Sequence, residues 1–282
     1  MFGDTEETMK LLEEFALANT SQNNFLKIKY VLLEYQKGFK LTKESKYNQA
    51  KSIFTRADAI SYHHFKVDSF EFHFSQLFAI SAKSYLEFKL KDANRAISLT
   101  ERGIEYAILL QECNLSNNII GLFIAQMLQN LAKIHLILKN IEKWSEITLQ
   151  NIHFLSNFEV PLICKGFDIA KLEKAPTHLR HIKILAVLDE ALNSIVKFNV
   201  SEGYQLIESI NIKDKTNPLV KSIDIWIKLN TDINKKRAST DSFITEYQRF
   251  IASRNDTFDL QILKAFLKKR IEIEKIQLYE IA

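Results

Sequence analysis

Residues 46–61, KYNQAKSIFTRADAIS, decide how this chain is read. Tyr47, Ala50, Phe54, Ala57 and Ile60 recur there at steps of three and four, which puts them on one face of an α-helix. Small side chains (Ala50, Ala57) alternate with large ones (Tyr47, Phe54), as on a helix pressed closely against a neighbour. Gly38 lies twelve residues before Ala50, where a preceding antiparallel helix needs to let the second one approach.

Composition points the same way. The chain has 282 residues, of which 46% are hydrophobic and 26% charged, the balance of an ordinary folded protein. Six Gly and three Pro fall far below the roughly 7% and 5% of average usage. Folds built from strands and tight turns spend these residues at every reversal, so their scarcity predicts few, long helices. Twenty Phe against two Trp predicts helix contacts filled by aliphatic side chains and Phe.

The net charge of +4 is unevenly placed. Residues 1–160 hold 18 Lys/Arg and 18 Asp/Glu, whereas residues 161–282 hold 20 and 16. That excess is modest beside the dense basic face of a nucleic-acid binder, so nucleic acid is not the expected partner. Cys113 and Cys164 form no metal-like pair and no disulfide framework, the usage of a reducing compartment. The acidic start MFGDTEETMK lacks the apolar run of a signal peptide, and no uncharged stretch is expected to reach the roughly 18 residues that a membrane helix needs. The expectation is a cytoplasmic protein.

Along the chain, Asp4 with Glu7 is a capping pair for a first helix to about residue 18, and the polar residues 19–24 break it. Helices follow at 25–41 and 43–63. Residues 65–78, FKVDSFEFHFSQLF, mix a period of two with a helical stripe; its length, some twenty residues without a breaker, favours helix. Asp92 opens a partner helix with Ala93, Ala96, Leu99 and Gly103 on its packed face. Ser116 caps a third pair, whose second helix starts near Ile141 with Trp144 and Ile147 echoing Tyr47 and Ala50. Pro161, Gly166 and Pro176 mark a boundary with a short helix at 168–174, and helices are expected at 178–198, 201–210, 217–237, 241–253 and 257–282.

Residues 46–61 resemble the second helix of a tetratricopeptide repeat, whose signature carries a Tyr, then Ala-x3-Phe and a further small residue. Ala82-x2-Tyr85 and Ala132-x2-His135 resemble the Gly-x2-Tyr of the family's first helix, while its Trp and Leu places hold Glu34 and Lys37. The resemblance implies an all-α fold: a right-handed α-solenoid of antiparallel helix pairs over 1–160, a connecting segment at 161–177 and a C-terminal helical segment at 178–282. It also implies noncatalytic binding of a protein or peptide as an adaptor or regulatory subunit, with no cofactor. The alternative is a peptide-sensing or nucleic-acid-associated regulator that uses the basic C-terminal helices, Lys235 to Arg237 and Lys264 to Arg270.

Carried onto this chain, the family's partner groove falls on Tyr35 and Phe39, then Gln76 and Lys83, then Gln126, Gln129 and Lys133, with Lys83 and Lys133 reading an acidic segment. The carboxylate clamp of chaperone-tail-binding members is lacking, because Tyr35 and Phe39 stand where it needs Lys and Asn. His63, His64 and His73, and His178 with His181, are the histidine clusters; no cysteine or carboxylate pair adjoins them, so no metal site is expected. No Walker loop, G-x-S-x-G, G-x-G-x-x-G or H-E-x-x-H occurs, and no catalytic residue is assigned. The two apolar lines of residues 257–282 fit either a homodimer or partner contact through the C-terminal helix or a helix inserted between neighbours and buried on both sides.

Overall fold

The structure, a computed structural model, describes residues 6–112, 119–175 and 177–198, with single positions at 209, 210, 245, 248, 249 and 252. Among the described residues every regular element is helical: α1 (Glu6–Asn19), α2 (Gln22–Lys43), α3 (Tyr47–His64), α4 (Phe70–Lys89), α5 (Ala93–Leu109), α6 (Ile120–Ile137), α7 (Ile141–Asn157), α8 (Ala170–Glu173) and α9 (Thr177–Phe198). Contacts divide the chain into two compact units, Met1–Asn151 with Val160–Pro176, and Ile152–Glu159 with Thr177–Ala282. Asp4, Ser116 and the helices expected beyond residue 200 lie outside the described residues, apart from the single positions above.

Side chains set several of the boundaries. Ser21 accepts the Asn24 amide at 3.3 Å, so the break after α1 is only residues 20 and 21 rather than the whole polar run 19–24. Ser69 accepts the Phe72 amide at 3.2 Å and starts α4, leaving residues 65–69 as a connection before the Phe-rich helix. Asp92 accepts the Arg95 amide at 3.1 Å and Asn140 the Lys143 amide at 3.2 Å, opening α5 and α7. Each supplies an acceptor to amides that the first turn leaves without a partner.

Three helix hairpins share one turn. Ser45, Lys91 and Lys139 adopt φ of 60°, 67° and 60°, the left-handed conformation that ends a helix. Around them the same two hydrogen bonds recur. The Lys46, Asp92 and Asn140 amides donate to the carbonyls of Leu41, Glu87 and His135, and the Ser45, Lys91 and Lys139 amides to those of Thr42, Phe88 and Leu136, all between 2.9 and 3.1 Å. The turns are thus 46 and 48 residues apart. Within each hairpin the helices run antiparallel: Tyr35 meets Asp58, Ser84 meets Thr100, and Asn151 meets the Ala125 carbonyl. Successive first helices run parallel, since Phe39 meets Tyr85 and Ser81 meets Met127, each 46 residues on.

The turns fix which positions correspond. Gly38 matches Ser84 and Ala132, so the tight position of the second hairpin is Ser84 and not Ala82. Ala50 matches Ala96 and Trp144, and Ile147 lies one turn further along α7. Gly38 exists to admit Phe54, whose ring would come within 2.4 Å of a Cβ there. In the second hairpin Ser84 and Thr100 fill that space instead, joined at 2.8 Å and both bonded to the Ala96 carbonyl. Ala93 and Leu99, expected on the packed face of α5, are only half-buried; Thr100, Ile104 and Ala107 complete it with Ala96 and Gly103.

The segment carrying Pro161 and Gly166 packs into the first unit. Gln111, beyond the end of α5, donates to the Gly166 carbonyl at 2.8 Å and accepts the Asp168 amide at 2.7 Å. Leu172 covers Gly121 so closely that a Cβ there would lie 2.7 Å from its Cδ1. Cys164 is fully buried, which pushes its thiol up to about 12 and leaves it unreactive as folded. In the second unit Arg180 lies over the Phe158 ring at 4.4 Å and donates to the Leu155 carbonyl at 3.2 Å. One expectation needs correcting: residues 113–132 form an uncharged stretch longer than 18 residues, and α6 is long and apolar enough to cross a membrane by length and composition; 67% of that helix is buried within the protein, so a span is not indicated.

Candidate functional site

Where α2, α3 and α4 meet, four polar side chains gather under the first-helix face. Tyr35 on α2 is almost wholly buried and donates to Asp58 Oδ1 at 2.7 Å. Lys83 on α4 reaches both oxygens of the same carboxylate at 2.6 Å, and its Nζ stands 5.7 Å from the Tyr35 ring centre. Burial, and then the Asp58 carboxylate, hold the Tyr35 hydroxyl well above its ordinary range, so it stays a donor. Gln76, two turns before Lys83 on the same face of α4, is buried with its Nε2 lacking a hydrogen-bond partner. Asp58 accepts from both neighbours, so this centre ties three helices together. It offers no solvated cation.

Above it, towards the turns, lies a second arrangement that repeats. Phe39 and Tyr85 hold corresponding places on α2 and α4, and their ring centres are 5.0 Å apart at 49°. Each ring carries the lysine of the next turn of its own helix: Lys43 Nζ is 4.8 Å from the Phe39 ring centre and Lys89 Nζ 5.4 Å from that of Tyr85. Lys43 and Lys89 are again 46 residues apart, and both are exposed while the rings are half-buried. Neither lysine forms an ion pair among the described residues.

The structure therefore brings together Tyr35, Gln76 and Lys83, though not as a groove lining. Gln76 and Lys83 lie on the side of α4 turned towards α2, whereas Tyr35 and Phe39 lie on the side of α2 turned towards α4. Lys83 and Lys133 are 50 residues apart and do not correspond; Lys133 takes the place of Phe39 and Tyr85, and Gln129 that of Tyr35. Lys133 is exposed, and Gln126 donates to Asn130 at 3.0 Å within α6. Asp58, Lys43, Tyr85 and Lys89 were not among the residues the sequence singled out as a site. The signal for the last three was present, an aromatic with lysine four residues later, repeated at a step of 46.

The histidines do not make a further centre. The His63 and His64 rings meet edge-on at 5.1 Å at the end of α3, and burial lowers His73, which lies 5.6 Å from the Tyr106 ring. Among the described residues no three His, Cys, Asp or Glu side chains gather as metal ligands. Comparison of the chain with protein-family models, with curated proteins and with solved structures finds no match.

Proposed function

We propose that this protein is a noncatalytic scaffold of tetratricopeptide-like hairpins, stacked as a right-handed solenoid, that binds a protein or peptide partner. The observation that carries this reading is the repeated turn, with φ near 60° and the same paired hydrogen bonds at steps of 46 and 48 residues. A turn that recurs in this way gives each hairpin the same exit, so equivalent faces of α2 and α4 come side by side and form one surface wider than a single helix. The surface so formed holds the Phe39–Tyr85 pair, and half-buried aromatic side chains are the residues that anchor protein partners. An adaptor or regulatory subunit is the role that such a surface serves.

Site-specific photocross-linking in the cell of origin tests it. A benzoylphenylalanine at position 39 or 85 is expected to trap one and the same polypeptide, and at exposed Tyr62 to trap none. No adduct at 39 and 85, or equal adducts at 62, would overturn the reading.

A further inference from the structure

We infer that the Phe39/Lys43 and Tyr85/Lys89 ladder binds an extended acidic peptide segment, with carboxylates about three residues apart taken by the two lysines; this rests on the binding role proposed above. Charge complementarity carries the inference. α2 holds Lys27, Lys29, Lys37, Lys40 and Lys43 with one carboxylate of its own, Glu34, and α4 adds Lys83 and Lys89 with Glu71 and Glu87; of these lysines, Lys29 is paired with Glu13 at 2.8 Å and Lys83 with Asp58 at 2.6 Å. All three carboxylates are engaged elsewhere. Glu34 pairs with Arg56, Glu71 accepts from Thr20 and Asn24, and Glu87 pairs with Arg95 at 3.5 Å. The nearest acid beyond α2, Glu44, pairs with Lys46 at 2.8 Å. Asp58 is held by Tyr35 and Lys83. The surface formed by the two helices thus presents Lys43 and Lys89 with no internal anion to answer them.

Geometry selects the form of the ligand. Each ammonium already rests on a ring, which restrains the flexible lysine stem and lowers the ordering cost of binding. An ammonium keeps donors for a carboxylate on the side away from the ring. Packed helix axes stand about 8–10 Å apart, and three residues of a chain extended as polyproline II span about 9 Å and bring i and i+3 to the same side. Glutamates or aspartates at i and i+3 of such a segment laid across α2 and α4 therefore face the two lysines together, with the intervening residues over the Phe39–Tyr85 edge. A single-stranded nucleic acid fits less well. Its bases need open ring faces, and here each ring is covered by its own lysine and tilted 49° to the other.

Fluorescence anisotropy on the full chain at low ionic strength tests this with four probes and two variants. The probes are a labelled short peptide with glutamates at i and i+3, its glutamine counterpart, a version with adjacent glutamates, and a short oligothymidine. The double variant Lys43→Glu/Lys89→Glu is compared with Lys51→Glu/Lys66→Glu, which makes the same charge change at exposed positions away from the ladder. The i, i+3 peptide is expected to bind the parent most tightly, to weaken about fivefold or more in the first variant, given two exposed ion pairs, and to keep its affinity in the second. Equal loss in both variants, equal affinity of the glutamine peptide, or tighter binding of oligothymidine would overturn the inference. If the acidic peptide fails to bind while cross-links at 39 and 85 persist, the acidic specificity fails and the scaffold reading stands. Loss of those cross-links removes both.

Discussion

A methyl group at position 38 has nowhere to go, because the Phe54 ring fills the space in front of it. Gly38→Ala is expected to cost about 1–3 kcal/mol by overpacking, and less in a Phe54→Leu background, as urea midpoints in a double-mutant cycle will show; equal costs in both would mean that the two positions do not touch. Lys183, buried on α9, behaves differently because its charge is the problem. Burial lowers its pKa from 10.5 to about 7, against a weaker upward pull from Glu190. The folded state thus holds fewer protons than the unfolded one between those values, so unfolding takes up a proton and stability rises with pH from about 7 towards 10.5. Lys183→Met is expected to melt higher than the parent at pH 7, with the gap closing by pH 9; a pH-independent gap would place the ammonium in a solvated site. At this scale the sequence was legible where burial was apolar. Ala50, Phe54 and Ala57 are buried as their spacing predicts, but Ser84 and Thr100 were missed, since hydroxyls that satisfy each other leave no mark on an apolar period.

Between elements, two devices hold the hairpins: the turn and the Asp58 centre. Lys91 adopts a backbone conformation that costs a side chain with a Cβ roughly 1 kcal/mol. Lys91→Gly is expected to raise stability by up to about that much in urea unfolding, and a loss would mean that the lysine side chain contributes to the turn. Asp58→Ala leaves Lys83 between α2 and α4 without its carboxylate, at a cost of about 1–3 kcal/mol, and Asp58→Ala/Lys83→Met should recover part of it. A double variant no more stable than the single one would show that the pair, and not the stranded charge, matters. Every helix from α2 to α7 was foreseeable, yet the register of the third hairpin slipped by three residues. Helix ends of this kind are normally announced by Gly. Here Ser45, Lys91 and Lys139 do that work silently, so the aromatic echo at Trp144 was aligned against the wrong partner.

Across the whole molecule, the segment 160–176 shows what punctuation residues conceal. Pro161, Gly166 and Pro176 read as a connector, and nothing in an aperiodic stretch tells that Cys164, Phe167 and Leu172 bury themselves in the first unit. Cys164 reports on that closure. In a Cys113→Ser background, Gly121→Val should push Leu172 away and speed maleimide labelling of Cys164 at least severalfold, without unfolding the helices by circular dichroism. Unchanged labelling would show that the segment stays closed without Leu172. The three reversals within hairpins have one length, residues 44–46, 90–92 and 138–140, whereas the connections between hairpins differ, residues 65–69 against 110–119. Descent with insertion and deletion then has only certain doors open to it. A residue gained inside a reversal rotates one helix against its partner and misaligns every pair below. A residue gained between hairpins shifts nothing inside either of them, so the joints between hairpins are where such a chain can change length while each hairpin keeps its own pairing.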